Sequence, residues 1–246
     1  MFHKIFPYCL GLIICFGSMG YAEGYTPKIG ESLEYKVVVK SAIHGANQTI
    51  KVVSKDTYNG RDVYKINSEM MTVGLVKGLY KYYQVEDMVL DAEGLYPWVI
   101  KREIRNGGDI QQEETNFDYS NKKARRLLIK NVGAQEWSEI NLPGFIQDEL
   151  SLLYFLRKNQ VINSVNKVYF YANGSVKENT YIVKQAGQAI HLECGTYSKY
   201  LQIIDKVSKI TVLVTDAPER FPIIIKSIAS FGAIEMKLLK IEEATQ

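Results

Sequence analysis

Leu142-Pro143-Gly144-Phe145-Ile146-Gln147-Asp148-Glu149-Leu150-Ser151-Leu152-Leu153-Tyr154-Phe155-Leu156-Arg157 is the one stretch that reads as a convincing helix. Pro143-Gly144 ends whatever precedes it. Asp148 is placed to cap the first turn, because its carboxylate can accept from a backbone N–H that has no partner within the helix. Glu149 agrees in sign with the N-terminal dipole, as Arg157-Lys158 do with the C-terminal one, and Asn159 is a usable C-cap. Ile146, Leu150, Leu153, Tyr154 and Arg157 recur at spacings of three and four. Leu152, Phe155 and Leu156 widen the apolar surface beyond a single stripe. A helix this apolar must be buried on most sides. The spacing therefore predicts a helix over residues 148–158 that plugs a core, in preference to one that lids or lines a ligand cavity.

Everything around it reads as strand. Leu33–Val39, Thr49–Ser54, Val63–Met70, Tyr80–Leu90, Trp98–Arg105, Ile110–Tyr119, Lys167–Tyr171 and Val176–Val183 are apolar or alternating runs. So are Leu201–Val207, Ile210–Thr215, Ile223–Ala229 and Ile234–Ile241, with a last turn at Phe231-Gly232. Asn59-Gly60, Asn106-Gly107-Gly108 and Asn173-Gly174 separate pairs of these runs. Asn-Gly tolerates positive φ at both central residues, so each marks a two-stranded antiparallel hairpin. Met70–Leu79 carries two glycines and reads as an irregular turn or short helix. Asp91 to Pro97 is echoed by Asp216 to Pro222, each with an aromatic residue before the proline and a strand after it. The expected fold is all-β and mainly antiparallel: a curved open barrel or a two-sheet sandwich around one central helix.

The chain has 246 residues, enough for one large β domain, and no Ser/Pro-rich linker divides it. Residues 1–22 read as a cleaved leader. Lys4 is the n-region, Ile5 to Gly17 the apolar stretch, and Gly20-Tyr21-Ala22 offers small residues before Glu23. The apolar run is short for a spanning helix. Cys15 follows Leu12-Ile13-Ile14 and lacks the small neighbour a lipoprotein acceptor needs. The expectation is a single domain over 23–246, periplasmic or otherwise exported, soluble, and without a membrane span once the leader is gone. Cys194 would then be the only thiol, so no internal disulfide can form. A formal charge of +3 gives no case for nucleic acid.

Gly30-Glu31-Ser32-Leu33-Glu34-Tyr35, Tyr58-Asn59-Gly60-Arg61-Asp62-Val63-Tyr64, Asp91 to Pro97, Gln147 to Arg157, Gly195-Thr196-Tyr197 and Thr215 to Pro222 together resemble an exported bacterial family catalogued as domain of unknown function 3108. The resemblance runs roughly from Gly30 to Leu239. Its most specific piece is Gln147-Asp148 with Leu150-Ser151, Leu153-Tyr154 and Leu156-Arg157; the family commonly has Pro where this chain has Glu149. The resemblance implies a signal peptide and a curved antiparallel sheet, and it brings no catalytic residues to carry over.

The chemistry-bearing residues give little more. His44 and His191 have no second ligand at metal spacing. Cys194 with His191 lacks the third group that orients a catalytic base, and an inert thiol is the simpler reading. Glu86-Asp87 and Glu113-Glu114 are adjacent on strands and point to opposite faces. No serine elbow or phosphate-cradling glycine loop occurs. The basic run Lys122-Lys123-Ala124-Arg125-Arg126 reads as a solvated turn before an anion-binding patch. No catalytic residue, metal site or cofactor is expected. Tyrosine is abundant, at 17 residues against 2 tryptophans. Tyr80 and Tyr82 share a strand face, as do Tyr169 and Tyr171. With Leu153 and Arg157 of the helix, these four are the candidate ligand contacts, although core packing between sheets explains the tyrosines equally well and an ion pair across the sheet or a surface position is the simpler role for Arg157. The expected function is non-catalytic binding of an amphiphile (lipid) or a glycan in a concave sheet. The alternatives are an assembly partner of another envelope protein and, third, a hydrolase of envelope polymers.

Overall fold

A computed structural model of the chain describes residues 25–40, 42–131, 133–158, 162–205, 209–229 and 232–243. The leader expected at 1–22, the C-cap at Asn159 and the Phe231 half of the last turn lie outside them.

In chain order the elements are β1 (Ser32–Val39), β2 (Ile43–Tyr58), β3 (Arg61–Thr72), α1 (Gly74–Leu79), β4 (Tyr82–Asp91), β5 (Pro97–Asn106), β6 (Asp109–Asp118), β7 (Lys123–Lys130) and β8 (Ala134–Asn141). Then follow β9 (Ile146–Gln147), α2 (Glu149–Lys158), β10 (Val165–Ala172), β11 (Ser175–Ala186), β12 (Ile190–Leu192), β13 (Gly195–Tyr197), β14 (Tyr200–Asp205), β15 (Ile210–Thr215), β16 (Pro222–Ala229) and β17 (Gly232–Glu242). Fifteen strands form one sheet in the order β8-β7-β6-β5-β4-β3-β2-β1-β17-β16-β15-β14-β11-β10-β9; β12 and β13 form a separate small hairpin. Among the described residues every pairing is antiparallel except β9 with β10.

The hairpins sit at the Asn-Gly signals. Asn59 and Gly60 have φ of 50° and 75°, and Asn173 and Gly174 have 50° and 78°, the left-handed pair a two-residue turn requires. Sequence alternation underestimates the longest strand. β2 runs from Ile43 to Tyr58, because its polar flanks lie on the outer face and pair along most of β3. The Asp91 echo is structural. Each loop ends in a left-handed residue, Leu95 (φ 53°) or Arg220 (φ 47°), before a buried aromatic and a strand-opening proline. Each is followed by the same register shift: Leu90 faces Pro97 while Val89 faces Val99, and Val214 faces Pro222 while Leu213 faces Ile224. Proline lacks the ladder donor, and the bulge beside it bends the sheet.

Inward-facing positions line up across the strands. Val52, Ile66, Met88, Ile100 and Thr115 are successive partners in one row. The next row, Ile50, Ser68, Glu86, Arg102 and Glu113, is mostly polar. The sheet then curls until its two flanks meet. The Tyr171 hydroxyl on β10 donates to Glu113 Oε1 on β6 at 2.7 Å, lies 2.9 Å from Thr115 Oγ1, and its ring meets Phe117 edge-on at 5.4 Å. The result is one curved, open barrel; β8 and β9 remain unjoined edges.

Helix α2 fills the gap. Asp148 is the cap: the Ser151 N–H donates to its Oδ1 at 2.9 Å, and its own N–H donates to Ser151 Oγ at 2.9 Å. Leu150 and Tyr154 join the main core with Tyr35, Ile223 and Leu238. Leu152, Phe155 and Leu156 pack on a second cluster formed by Val168, Val183, Ile203 and Val212. Because side chains alternate along a strand, β10, β11, β14 and β15 bury both faces, one toward each cluster. Tyr80 follows helix α1 and is not part of β4, so it shares no strand face with Tyr82, although their rings stack at 6.2 Å.

Candidate functional site

A cleft of about 770 Å³ opens where the Asp91–Pro97 loop, the Pro143–Gln147 segment, the end of α2 and β10 converge. Asp91 anchors the loop. It is fully buried and accepts from Arg61 Nε at 2.7 Å, the Gly94 N–H at 2.7 Å, the Glu93 N–H at 3.0 Å and the Trp98 indole N–H at 3.2 Å. Burial alone would raise the Asp91 carboxyl; these donors and the Arg61 charge outweigh it and hold it below the usual range. Gly94 leaves no room for a side chain unless Tyr96 shifts: a Cβ there would lie 2.4 Å from the Tyr96 ring. Tyr96 in turn stacks on Phe145 at 4.2 Å, and Tyr119 closes the cluster edge-on to Tyr96 at 4.8 Å. Phe145 leaves 59% of its surface in solvent.

Opposite this aromatic wall stands Tyr169, over Gly144, where a Cβ would come within 3.2 Å of its ring. Between the walls is Gln147. It is 2% exposed, and its Oε1 has no hydrogen-bond partner among the described residues. A buried amide oxygen without a donor is costly. The charged rim is internally matched. Arg61 Nη2 lies 3.3 Å from Glu93 Oε2, Lys167 Nζ lies 2.9 Å from Glu178 Oε1, and Lys158 Nζ donates to the Glu93 carbonyl at 2.6 Å. Burial and the Asp91 carboxylate push the Tyr96 hydroxyl up to about 12, so it stays a neutral donor.

Of the six residues singled out in the sequence, Tyr169 alone lines this cleft. Arg157 is 1% exposed. Its Nη1 and Nη2 pair with Glu31 at 2.6 and 2.8 Å, its Nε donates to the Glu219 carbonyl, and its guanidinium lies 3.7 Å from the Tyr25 ring centre. Tyr171 is committed to Glu113 and Thr115. Leu153 packs on the main core, and Tyr82 donates to Gln84 at 2.6 Å. Tyr80 is exposed at the far end of the barrel. Phe145, Gln147, Tyr96 and Arg61 were missed as a group. Each lies in a motif quoted above, but nothing in those motifs says that they meet.

Elsewhere, His44 pairs with Asn47 and His191 with Thr196. The Cys194 thiol lies 3.2 Å from the Leu238 carbonyl and 3.3 Å from the Tyr197 hydroxyl, not against His191. In the basic run, Lys123 pairs with Glu139 at 2.5 Å and Arg126 with Glu113 at 2.9 Å. Among the described residues no cluster of metal-ligating side chains occurs, and no helix is long and apolar enough to cross a membrane.

Residues 34–239 match the family described as protein of unknown function DUF3108. The chain belongs to that family. No curated protein matches this DUF3108 chain. Its fold is similar to the crystal structure of a β-barrel-like protein of DUF1849 from Brucella abortus, with a TM-score of 0.53 and 10% identity over 89% of this chain and 100% of that one. A Bacteroides fragilis protein of YmcC-like fold gives a TM-score of 0.34 and 8% identity over 89% and 99% of the two chains. At these identities the likeness of the DUF3108 chain to the Brucella structure is one of fold.

Proposed function

We propose that this protein is an exported, non-catalytic saccharide-binding protein and that the cleft at Phe145, Gln147 and Tyr169 is its site. The observation that carries the reading is the unpartnered Gln147 Oε1, buried between an exposed aromatic face and a second tyrosine. A sugar presents a flat C–H face for an aromatic ring and hydroxyls that donate to an amide oxygen. The binding of amphiphilic ligands by Tyr and Phe surfaces with a few convergent polar groups follows the same logic. The side chains of α2 occupy the space between the two apolar clusters, so a lipid tail finds less room inside the barrel than a sugar finds in the cleft.

The partners of the cleft carboxylates support a non-catalytic reading. Asp91 is saturated by donors, Glu93 is held by Arg61 and Glu178 by Lys167. A general base needs a free acceptor within reach of a substrate proton. Export rests on the leader-like residues 1–22.

The test is native mass spectrometry and a glycan array with the chain from Glu23 onward, alongside Phe145→Ala and Gln147→Met. The expected result is a bound envelope saccharide whose affinity falls at least about tenfold in each variant, equivalent to one lost contact of about 1.4 kcal/mol. A wild-type chain that binds no glycan, or a lipid mass in place of one, overturns the reading.

A further inference from the structure

The end of the barrel remote from the cleft carries the most exposed apolar side chains among the described residues. Helix α1 buries none of its own side chains and has no side-chain cap. Leu75 and Leu79, four apart and so on one face, are 87% and 92% exposed, and Tyr80 beside them is 49% exposed. Two glycines in six residues make this a poor helix by propensity. Neither local preference nor core packing accounts for two leucines held in water.

Directly beside them lies a shallow hollow of about 270 Å³, into which Lys77, Lys81 and Arg105 converge with Thr72, Tyr82 and Tyr83. Among the described residues no carboxylate lines it, and Glu69 stands beside Tyr83 at its border. The Gly107 N–H donates to the Lys81 carbonyl at 2.8 Å, tying the β5–β6 turn to the segment after α1 and holding Arg105 next to Lys81. The Arg105 guanidinium also lies 5.8 Å from the Tyr83 ring centre, and it shares its charge with Glu103 at 2.7 Å outside the hollow. The sequence from Met70 to Tyr83 contains no acidic residue. Ile43 and Ile110, at strand ends on this same side, are 48% and 46% exposed.

We infer that this end docks on an anionic lipid leaflet. Leu75, Leu79 and Tyr80 enter the headgroup boundary, while Lys77, Lys81 and Arg105 take a lipid phosphate in the adjoining hollow. Exposed apolar side chains ringed by cations are what an interfacial anchor requires, since each supplies one half of the attraction. A six-residue helix is too small to bury the roughly 1,200 Å² of a stable protein interface, whereas insertion into a leaflet needs no matching partner surface. Strand β3 runs from Arg61 at the cleft to Thr72 at this end, 12 residues, or about 35 Å. A docked molecule therefore holds its cleft away from the leaflet. The inference does not depend on what the cleft binds.

The experiment uses the chain from Glu23, which keeps every strand and lacks the apolar leader. Flotation is measured with vesicles of phosphatidylcholine alone and with phosphatidylglycerol added. The expected result is binding to the anionic vesicles only. Lys77→Gln and Lys81→Gln should each weaken it about fivefold, and Leu75→Ser/Leu79→Ser at least tenfold. Circular dichroism should be unchanged, since no α1 side chain is buried. Equal binding by wild type and variants, or no binding by wild type, overturns the proposal. So does sedimentation showing a dimer that Leu75→Ser/Leu79→Ser dissolves, which would make this face a subunit contact.

Discussion

Arg157 and Glu31 are both almost fully buried and pair through two short hydrogen bonds. Desolvation of two charges offsets much of their attraction, but removing one leaves the other stranded. Arg157→Ala is expected to lower the urea-unfolding free energy by about 3–5 kcal/mol. The double change Arg157→Met/Glu31→Leu should recover most of it. A second buried pair joins the sheet to the helix cap. Arg102 Nη2 lies 2.7 Å from Glu86 and 3.7 Å from Asp148 Oδ2, and among the described residues neither Glu86 Oε1 nor Asp148 Oδ2 has an N–H or O–H donor. A proton held between the carboxyls satisfies both. Burial first, and then the Asp148 charge, raise Glu86 to about 8 against the pull of Arg102. The folded chain keeps this proton up to about pH 8, while the unfolded chain releases it near 4.5. The stability it confers is therefore complete below 4.5 and lost as pH rises through 8. Thermal melts from pH 5.5 to 8.5 should show the wild-type Tm falling more steeply than that of Glu86→Gln; parallel curves would remove the shared proton. The Asp148 cap was legible because cap and first-turn serine are three residues apart. Glu31, 126 residues from Arg157, was not.

The two helices differ in what holds them. Helix α2 has Leu156, 2% exposed, in the second apolar cluster, and α1 has Leu79 in solvent. Leu156→Ala should cost about 2–5 kcal/mol of unfolding free energy, whereas Leu79→Ala should stay within about 0.5 kcal/mol. The loops at Asp91 and Thr215 show how far turn chemistry can be read. Aromatic-Pro before a strand announced both turns, but the first is closed by a hydrogen bond from the Asp91 N–H to the Tyr96 carbonyl and the second by one from the Thr215 N–H to the Phe221 carbonyl. The second loop is thus one residue longer between its closing residues. In it the Thr215 hydroxyl, rather than Asp216, accepts from the Phe221 N–H. Gly94→Ala tests the first loop: the added methyl must displace Tyr96, with Phe145 stacked on it, and is expected to cost about 1–3 kcal/mol.

At the scale of the molecule, β1 pairs with β17, so strands from near the two ends of the chain lie side by side in the middle of one sheet. The main core draws on β1, β3, β5, β10 and β16 together. Heating should therefore give one cooperative transition, with near- and far-ultraviolet circular dichroism tracing the same curve; two separated steps would divide the domain. The sequence by itself determined the antiparallel hairpins, the helix with its cap and the all-β class. Those depend on side-chain periodicity and on φ preferences within a few residues. Only the tertiary structure decided that the strands make one open barrel, that Glu31 is the buried partner of Arg157, and that Phe145, Gln147 and Tyr169 face a common cleft. Those follow from curvature and register summed over fifteen strands. Small twists and bulges at each pairing add up to bring together residues that no local pattern connects.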